Sequence, residues 1–313
     1  MCLEDGVPEL LAKAAQNMKF LSKASFTSNP LSIQVITNLP SYSQLTTLSI
    51  TGVKPEEHVW DIAPTSLKKL KWEVASGWDE RDRNPWDIAN LVIKVAEATC
   101  PDLESLEISF CDMYGFRAPA LPAVSTDIFS RYQEIQISST PKLTRLRHFS
   151  FKYEDASAEQ QAAVEASFLE LVTRYSKTLK SVSIPHRYGS MTRETLDFIL
   201  KVCASLPNLA ELILYEKKIG IGQGGRHIGV QFIRELTSTL ASPKFEIERL
   251  SIGGIEVPFS PNIGKMFASL KSLKFLRVGD RDGSDGPYNH DGRLDFGSYG
   301  PVSTRFSRSI VIS

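Results

Sequence analysis

The sequence predicts an α/β solenoid, with a curved parallel sheet on the concave side, helices on the convex side and about nine irregular repeats. Three observations predict it. A short apolar pattern returns through the chain, helix-like stretches separate its copies, and neither kind of segment can bury its apolar face alone.

The pattern is an apolar residue, two variable residues, an apolar residue, one variable residue and a last apolar residue. The strongest copies are "LTTLSI" (Leu45, Leu48, Ile50), "LESLEI" (Leu103, Leu106, Ile108), "LAELIL" (Leu209, Leu212, Leu214), "IERLSI" (Ile247, Leu250, Ile252) and "LKFLRV" (Leu273, Leu276, Val278). Weaker copies are "LKKLKW" (67–72), "LRHFSF" (146–151) and "LKSVSI" (179–184), and "LSKASF" (21–26) is the weakest. The last two apolar residues are two apart, so they point the same way from a strand, and the first sits where the chain turns into that strand. The alternate positions are polar, as in Thr47 and Ser49, Lys69 and Lys71, Ser105 and Glu107. Each strand is therefore expected to bury one face only.

The intervening stretches carry a helical period. "WDIANLVIKVAEATC" places Ile88, Leu91, Val92, Val95 and Ala96 on one stripe. "SAEQQAAVEASFLELVTRY" does so with Val164, Phe168, Leu171, Val172 and Tyr175, and opens with a capping-box pattern from Ser157 to Gln160. "TRETLDFILKVCASL" repeats the stripe with Leu196, Ile199, Leu200 and Cys203. Strand-to-strand spacing runs from 22 to 43 residues, so the longer units carry insertions: 75–87, 111–127 and 215–226. The expected organisation is a solenoid over 1–278, then a polar tail or degenerate cap over 279–313, in which "SIVIS" reads as an edge strand.

The best residues for a resemblance lie at "TCPDLESLEISFCDM", 99–113. Cys100, Pro101, Leu103, Leu106, Ile108 and Cys111 resemble the cysteine-containing leucine-rich repeat, and "VCASLPNLAELIL" is a partial second match. The repeat type is similar to that of the F-box and leucine-rich-repeat proteins of the divergent fungal type, over about residues 8 to 278. That resemblance implies substrate recognition for a Skp–cullin–F-box ubiquitin ligase. An F-box is a helical module ahead of the repeats, and none is visible here: residues 8–18 read as the helix of the first repeat.

Composition narrows the function. Lys plus Arg and Asp plus Glu stand at 36 each, which removes the simplest electrostatic case for nucleic acid or an anionic membrane. No apolar run has the length of a membrane span, and "MCLEDGVPEL" does not read as a signal peptide. Cys2, Cys100, Cys111 and Cys203 are scattered without a CxxC pair, which reads as reduced, mostly buried thiols of an intracellular protein, cytoplasmic or nuclear.

The motifs that suggest chemistry are weak. Gly220-x-Gly222-x-x-Gly225 after an apolar run has the outline of a dinucleotide fingerprint, but Glu216, Lys217, Lys218 and Ile219 separate it from the strand, so an inter-repeat loop is expected. "DRDGSDG" (280–286) fails the calcium-loop spacing, because its sixth position is Asp285. His58, His148, His186, His227 and His290 have no metal-ligand spacing, and no GxSxG, HExxH or P-loop occurs. The sequence points to no enzyme, no cofactor, no metal and no small-molecule ligand.

The informative surface is the outward side of the strands, expected to bind a protein partner. Its anchors are read as Tyr215, Phe275, Arg277, Ile213, Arg249, His148 and Lys152, because Arg and aromatic side chains on a rigid surface are the commonest interface anchors. Trp78, in the 75–87 insertion, is added to them. Trp86 has two readings, interface residue or anchor at a helix start. Three functions follow: a non-catalytic interaction scaffold serving a ubiquitin ligase, a free-standing leucine-rich-repeat adaptor, or a nucleotide-binding enzyme using the Gly220–Gly225 loop.

Overall fold

The computed structural model of the chain describes residues 20–27, 44–52, 66–76, 85–112, 142–153, 158–184, 193–214, 230–253, 261–279 and 310–311. The chain divides into two compact units, Met1–Gln160 and Gln161–Ser313.

The first unit holds β1 (Lys23–Thr27), β2 (Thr47–Thr51), β3 (Lys69–Ser76), α1 (Pro85–Thr99), β4 (Ser105–Asp112) and β5 (His148–Lys152). Its strands pair in chain order and every pair is parallel. Corresponding positions of the apolar pattern face each other. Leu48, Leu70, Leu106 and Phe149 form one inward row, and Ile50, Trp72, Ile108 and Phe151 the next. All eight are buried, each contributing roughly 1.5–3 kcal/mol of transfer free energy. Strands β3 and β4 run eight residues, longer than the pattern predicts, and stay in register to Ser76 and Asp112. Gly52 ends β2 at φ 74°, a left-handed conformation open to glycine, and its N–H donates to the Glu73 carbonyl at 2.7 Å.

The second unit holds α2 (Ala158–Arg174, whose first turn lies across the boundary), β6 (Ser181–Ile184), α3 (Arg193–Ser205), β7 (Glu211–Leu214), α4 (Val230–Leu240), β8 (Arg249–Gly253), α5 (Pro261–Ala268), β9 (Phe275–Gly279) and β10 (Ile310–Val311). Its strands also pair parallel in chain order. Val182, Leu212, Leu250 and Leu276 make one inward row; Ile184, Leu214 and Ile252 belong to the next. β10 pairs with β9 through Ile310 and Val311, within the segment read as an edge strand.

The α/β class with all-parallel strands and intervening helices is therefore the one the sequence predicts. The helical stripes are the buried ones: Val164, Phe168, Leu171, Val172 and Tyr175 in and just after α2, and Leu196, Ile199 and Cys203 in α3. Leu91 and Leu200, placed on those stripes, are only half-buried, while Ala89, Ile93 and Phe198 are buried instead. The packed arc is wider than a single stripe and rotated toward these residues. Prolines open α1 and α5, at the first helical position, where the missing N–H costs no intrahelical bond. The capping residue read at Ser157 and the helix read at 8–18 lie outside the described residues.

One hydrogen-bond device repeats at successive strand entries within each unit. The carbonyl of the pattern's second residue accepts two N–H groups from the next strand's entry. Thr46 accepts from Lys68 and Lys69, Lys68 from Glu104 and Ser105, and Glu104 from Arg147 and His148. In the second unit Lys180 accepts from Ala210 and Glu211, Ala210 from Glu248 and Arg249, and Glu248 from Lys274 and Phe275. Side chains at the same position reinforce it: Lys274 Nζ lies 2.6 Å from Glu248 Oε1, and Lys68 Nζ 3.8 Å from Glu104 Oε1. A further apolar anchor stands three residues before the pattern in four copies. Cys100, Leu143, Leu206 and Leu270 are buried, and their carbonyls accept the N–H of Leu103, Leu146, Leu209 and Leu273.

Candidate functional site

Alternation along the strands decides which side chains leave the core. In the first unit the outward rows are Lys23, Thr47, Lys69, Ser105 and His148, then Ser25, Ser49, Lys71, Glu107 and Ser150. Lys23, Ser25, Lys69 and Lys71 are exposed. Glu107 reaches toward β5, its Oε1 lying 3.8 Å from His148 Nε2. Lys152 is half-buried at the far end of β5.

In the second unit one row forms a continuous polar chain. Ser181, Glu211, Arg249 and Phe275 are register partners on β6, β7, β8 and β9. Ser181 Oγ donates to Glu211 Oε2 at 2.7 Å, Arg249 Nε donates to Glu211 Oε1 at 3.0 Å, and the Arg249 guanidinium lies over the Phe275 ring, 4.8 Å from its centroid. The carboxylate is satisfied from both sides, and the aromatic face is covered by a cation from the neighbouring strand. The next row is Ser183, Ile213, Ser251 and Arg277. Ile213, Ser251 and Arg277 are half-buried, and Arg277 makes no ion pair among the described residues.

The structure thus gathers four of the expected anchors, Ile213, Arg249, Phe275 and Arg277, on three neighbouring strands. His148 and Lys152 belong to β5 of the first unit. Tyr215, Trp78 and the Gly220–Gly225 segment, read as a loop from the sequence, lie outside the described residues. Trp86 is the helix-start anchor of its two readings: it is buried, and its ring meets Phe151 edge-on at 5.1 Å. Phe151 also stacks on Tyr153 at 5.3 Å, so the strand end and the helix start share one aromatic cluster.

Three outward positions correct the expectation of water-facing side chains. Ser150 is 3% exposed, Ser181 8% and Ser183 1%. A small side chain on a sheet is easily overshadowed by longer neighbours, whichever face it points from. Ser181 satisfies its hydroxyl through Glu211, whereas Ser183 Oγ is buried without a hydrogen-bond partner among the described residues, a deficit of roughly 1–3 kcal/mol.

Sequence reasoning gave no role to Glu211 or to Lys23. The signal was available: Glu211, Arg249 and Phe275 occupy the same position of the repeating pattern, so a shared register makes them lateral neighbours. Lys23 holds that position in the weakest copy of the pattern.

The remaining chemistry is structural. Cys100 and Cys203 are free and buried; burial raises both thiols, and that of Cys203 is pushed up to about 12. Among the described residues no group of three or more His, Cys, Asp or Glu side chains is placed to hold a metal ion. No helix among them is long and apolar enough to cross a membrane. No protein-family model matches the chain, and no curated protein matches it.

Proposed function

We propose that the chain is a non-catalytic interaction scaffold that receives a protein partner on the outward side of its parallel strands. The observation that carries this reading is the in-register array of half-buried and exposed side chains on β7, β8 and β9. Ile213, Arg249, Phe275 and Arg277 are held on a hydrogen-bonded sheet, so little side-chain and backbone freedom is lost when a partner covers them.

On the resemblance carried by residues 99–113, the partner would be a substrate handed to a Skp–cullin–F-box ubiquitin ligase, and the protein would act inside the cell. Without the ligase link the same face serves a free-standing adaptor.

Site-specific photo-crosslinking in native extract tests the reading. A benzophenone side chain at Ser251, between Ile213 and Arg277, should capture one recurrent protein. The same group at Lys201, on the exposed side of α3, should not. Equal capture from both positions, or none from Ser251, overturns the reading. Co-purification of a Skp-type adaptor with the captured protein decides the ligase role.

A further inference from the structure

We propose that the outward side of β1, β2 and β3 binds an acidic peptide segment of a partner protein. The inference rests on the scaffold reading and names the chemistry that one part of the face selects.

The described outward side chains of these three strands include three lysines, Lys23, Lys69 and Lys71, and one carboxylate, Glu73. All three lysines are exposed, and none makes an ion pair among the described residues. Two neighbouring pairs of charges are already matched. Lys68, next in sequence to Lys69, lies against Glu104 at the strand entry, and Arg145 against Asp102 in the neighbouring turns. Glu107, the register partner of Lys71, reaches away toward His148. Among the described outward side chains of β1–β3 this leaves three exposed lysines against the single carboxylate Glu73, a local cationic excess in a chain whose acidic and basic residues balance.

The spacing of the patch suits a peptide. Lys69 and Lys71 stand two residues apart on one strand, about 7 Å, which is also the distance between same-side residues of an extended partner chain. Lys23 lies two strands away in the row of Lys69, about 10 Å sideways, with Thr47 between them. Ser25 and Ser49 complete the floor. Short hydroxyl side chains allow close approach and can donate to carboxylates, while the ammonium groups supply the charge.

Other anionic partners fit less well. Single-stranded nucleic acid is held by stacking on aromatic side chains as well as by charge, and the described outward positions of β1–β3 hold none. A membrane surface is held by apolar insertion beside the charge; the described outward positions of β1–β3 offer no exposed large apolar side chain, and Phe20, just ahead of β1, is a single exposed ring.

The test uses the full chain and a fluorescein-labelled octaglutamate peptide, with binding followed by anisotropy at low and at physiological salt. Octaglutamate should bind, more weakly as salt rises. The double substitution Lys69→Glu, Lys71→Glu should weaken it at least about tenfold. A charge-matched control, Lys244→Glu with Lys271→Glu on exposed turns of the second unit, should leave it unchanged. Circular dichroism verifies that both variants are folded. Absence of binding at low salt, or equal weakening in the control, overturns the proposal. So does tighter binding of an oligothymidylate of equal charge through the same lysines, which would assign the patch to nucleic acid. If octaglutamate fails while Ser251 still crosslinks its partner, the acidic preference is wrong and the scaffold reading stands. If both fail, both fall.

Discussion

The Arg249 guanidinium lies over the Phe275 ring at 4.8 Å from its centroid, one strand away on the outward side of the sheet. The pairing follows from the repeat itself. Both residues occupy the same position of the apolar pattern, parallel register sets them side by side, and Glu211 on the opposite flank steadies the guanidinium through Nε. Because the side chain of Arg249 is more than half exposed, the contact should be modest. A double-mutant cycle with Arg249→Ala and Phe275→Ala should give a coupling of about 0.5–1 kcal/mol in urea melts. A coupling indistinguishable from zero would mean that the ring and the cation do not meet in solution.

The strand phase makes a sharper prediction. Leu106 is buried in the row between Leu70 and Phe149, so Leu106→Ala should cost roughly 2–5 kcal/mol. Its neighbour Glu107 points outward and has a partly exposed contact with His148, so Glu107→Ala should cost no more than about 1 kcal/mol. Equal losses in chemical denaturation would show the phase of β4 to be wrong.

Trp86 separates stability from binding. Its ring is buried at the start of α1 against Phe151, and Trp86→Ala should cost roughly 3–5 kcal/mol by leaving a cavity in that aromatic cluster. Trp86→Phe should recover much of the loss. Partner capture by the folded Trp86→Phe protein should equal that of the unmodified chain. A selective loss of capture would return Trp86 to the interface.

Cys203 should make the fold sensitive to alkali. Burial pushes its thiol up from 9.0 to about 12, so the folded state keeps a proton that the unfolded chain releases. Stability from this group is complete below pH 9 and falls as pH rises toward 12, with a limiting slope of about 1.4 kcal/mol per pH unit. Cys203→Ala should flatten that part of the pH profile. A thiol-specific reagent at neutral pH should leave Cys203 unmodified in the native protein and label it after unfolding.

The Gly220–Gly225 segment is expected to bind no nucleotide. NAD, NADP or ATP at millimolar concentration should leave the melting temperature unchanged, since any ligand bound to the folded state would raise it. A saturable rise abolished by Gly222→Val would overturn the scaffold reading for this segment.

The fold was legible because its signals are local. Leu48 and Ile50, or Leu250 and Ile252, sit two apart, and that spacing alone orients both toward one side of a strand. A repeated pattern then implies register: same position, same row. The rows Leu48–Leu70–Leu106–Phe149 and Val182–Leu212–Leu250–Leu276 follow from alignment of the copies. The buried anchor three residues upstream was legible too, at Leu143, Leu206 and Leu270, but the shorter pattern hid it.

The outward face was legible only as a set of candidates. Alternation sends Ser150, Ser181 and Ser183 to the polar side, yet all three are buried, because exposure depends on what else reaches over a small side chain. Register set Arg249 beside both Glu211 and Phe275, but the length and rotamer of the guanidinium side chain let it meet both at once. Trp86 became a core residue through Phe151, sixty-five positions away. What the sequence determined by itself is each strand's direction of burial, its neighbours and its helical partners, since apolar periodicity acts within a few residues. Only the tertiary structure decided which polar side chains are covered, paired or left free, since those outcomes depend on distances between side chains brought together from different repeats.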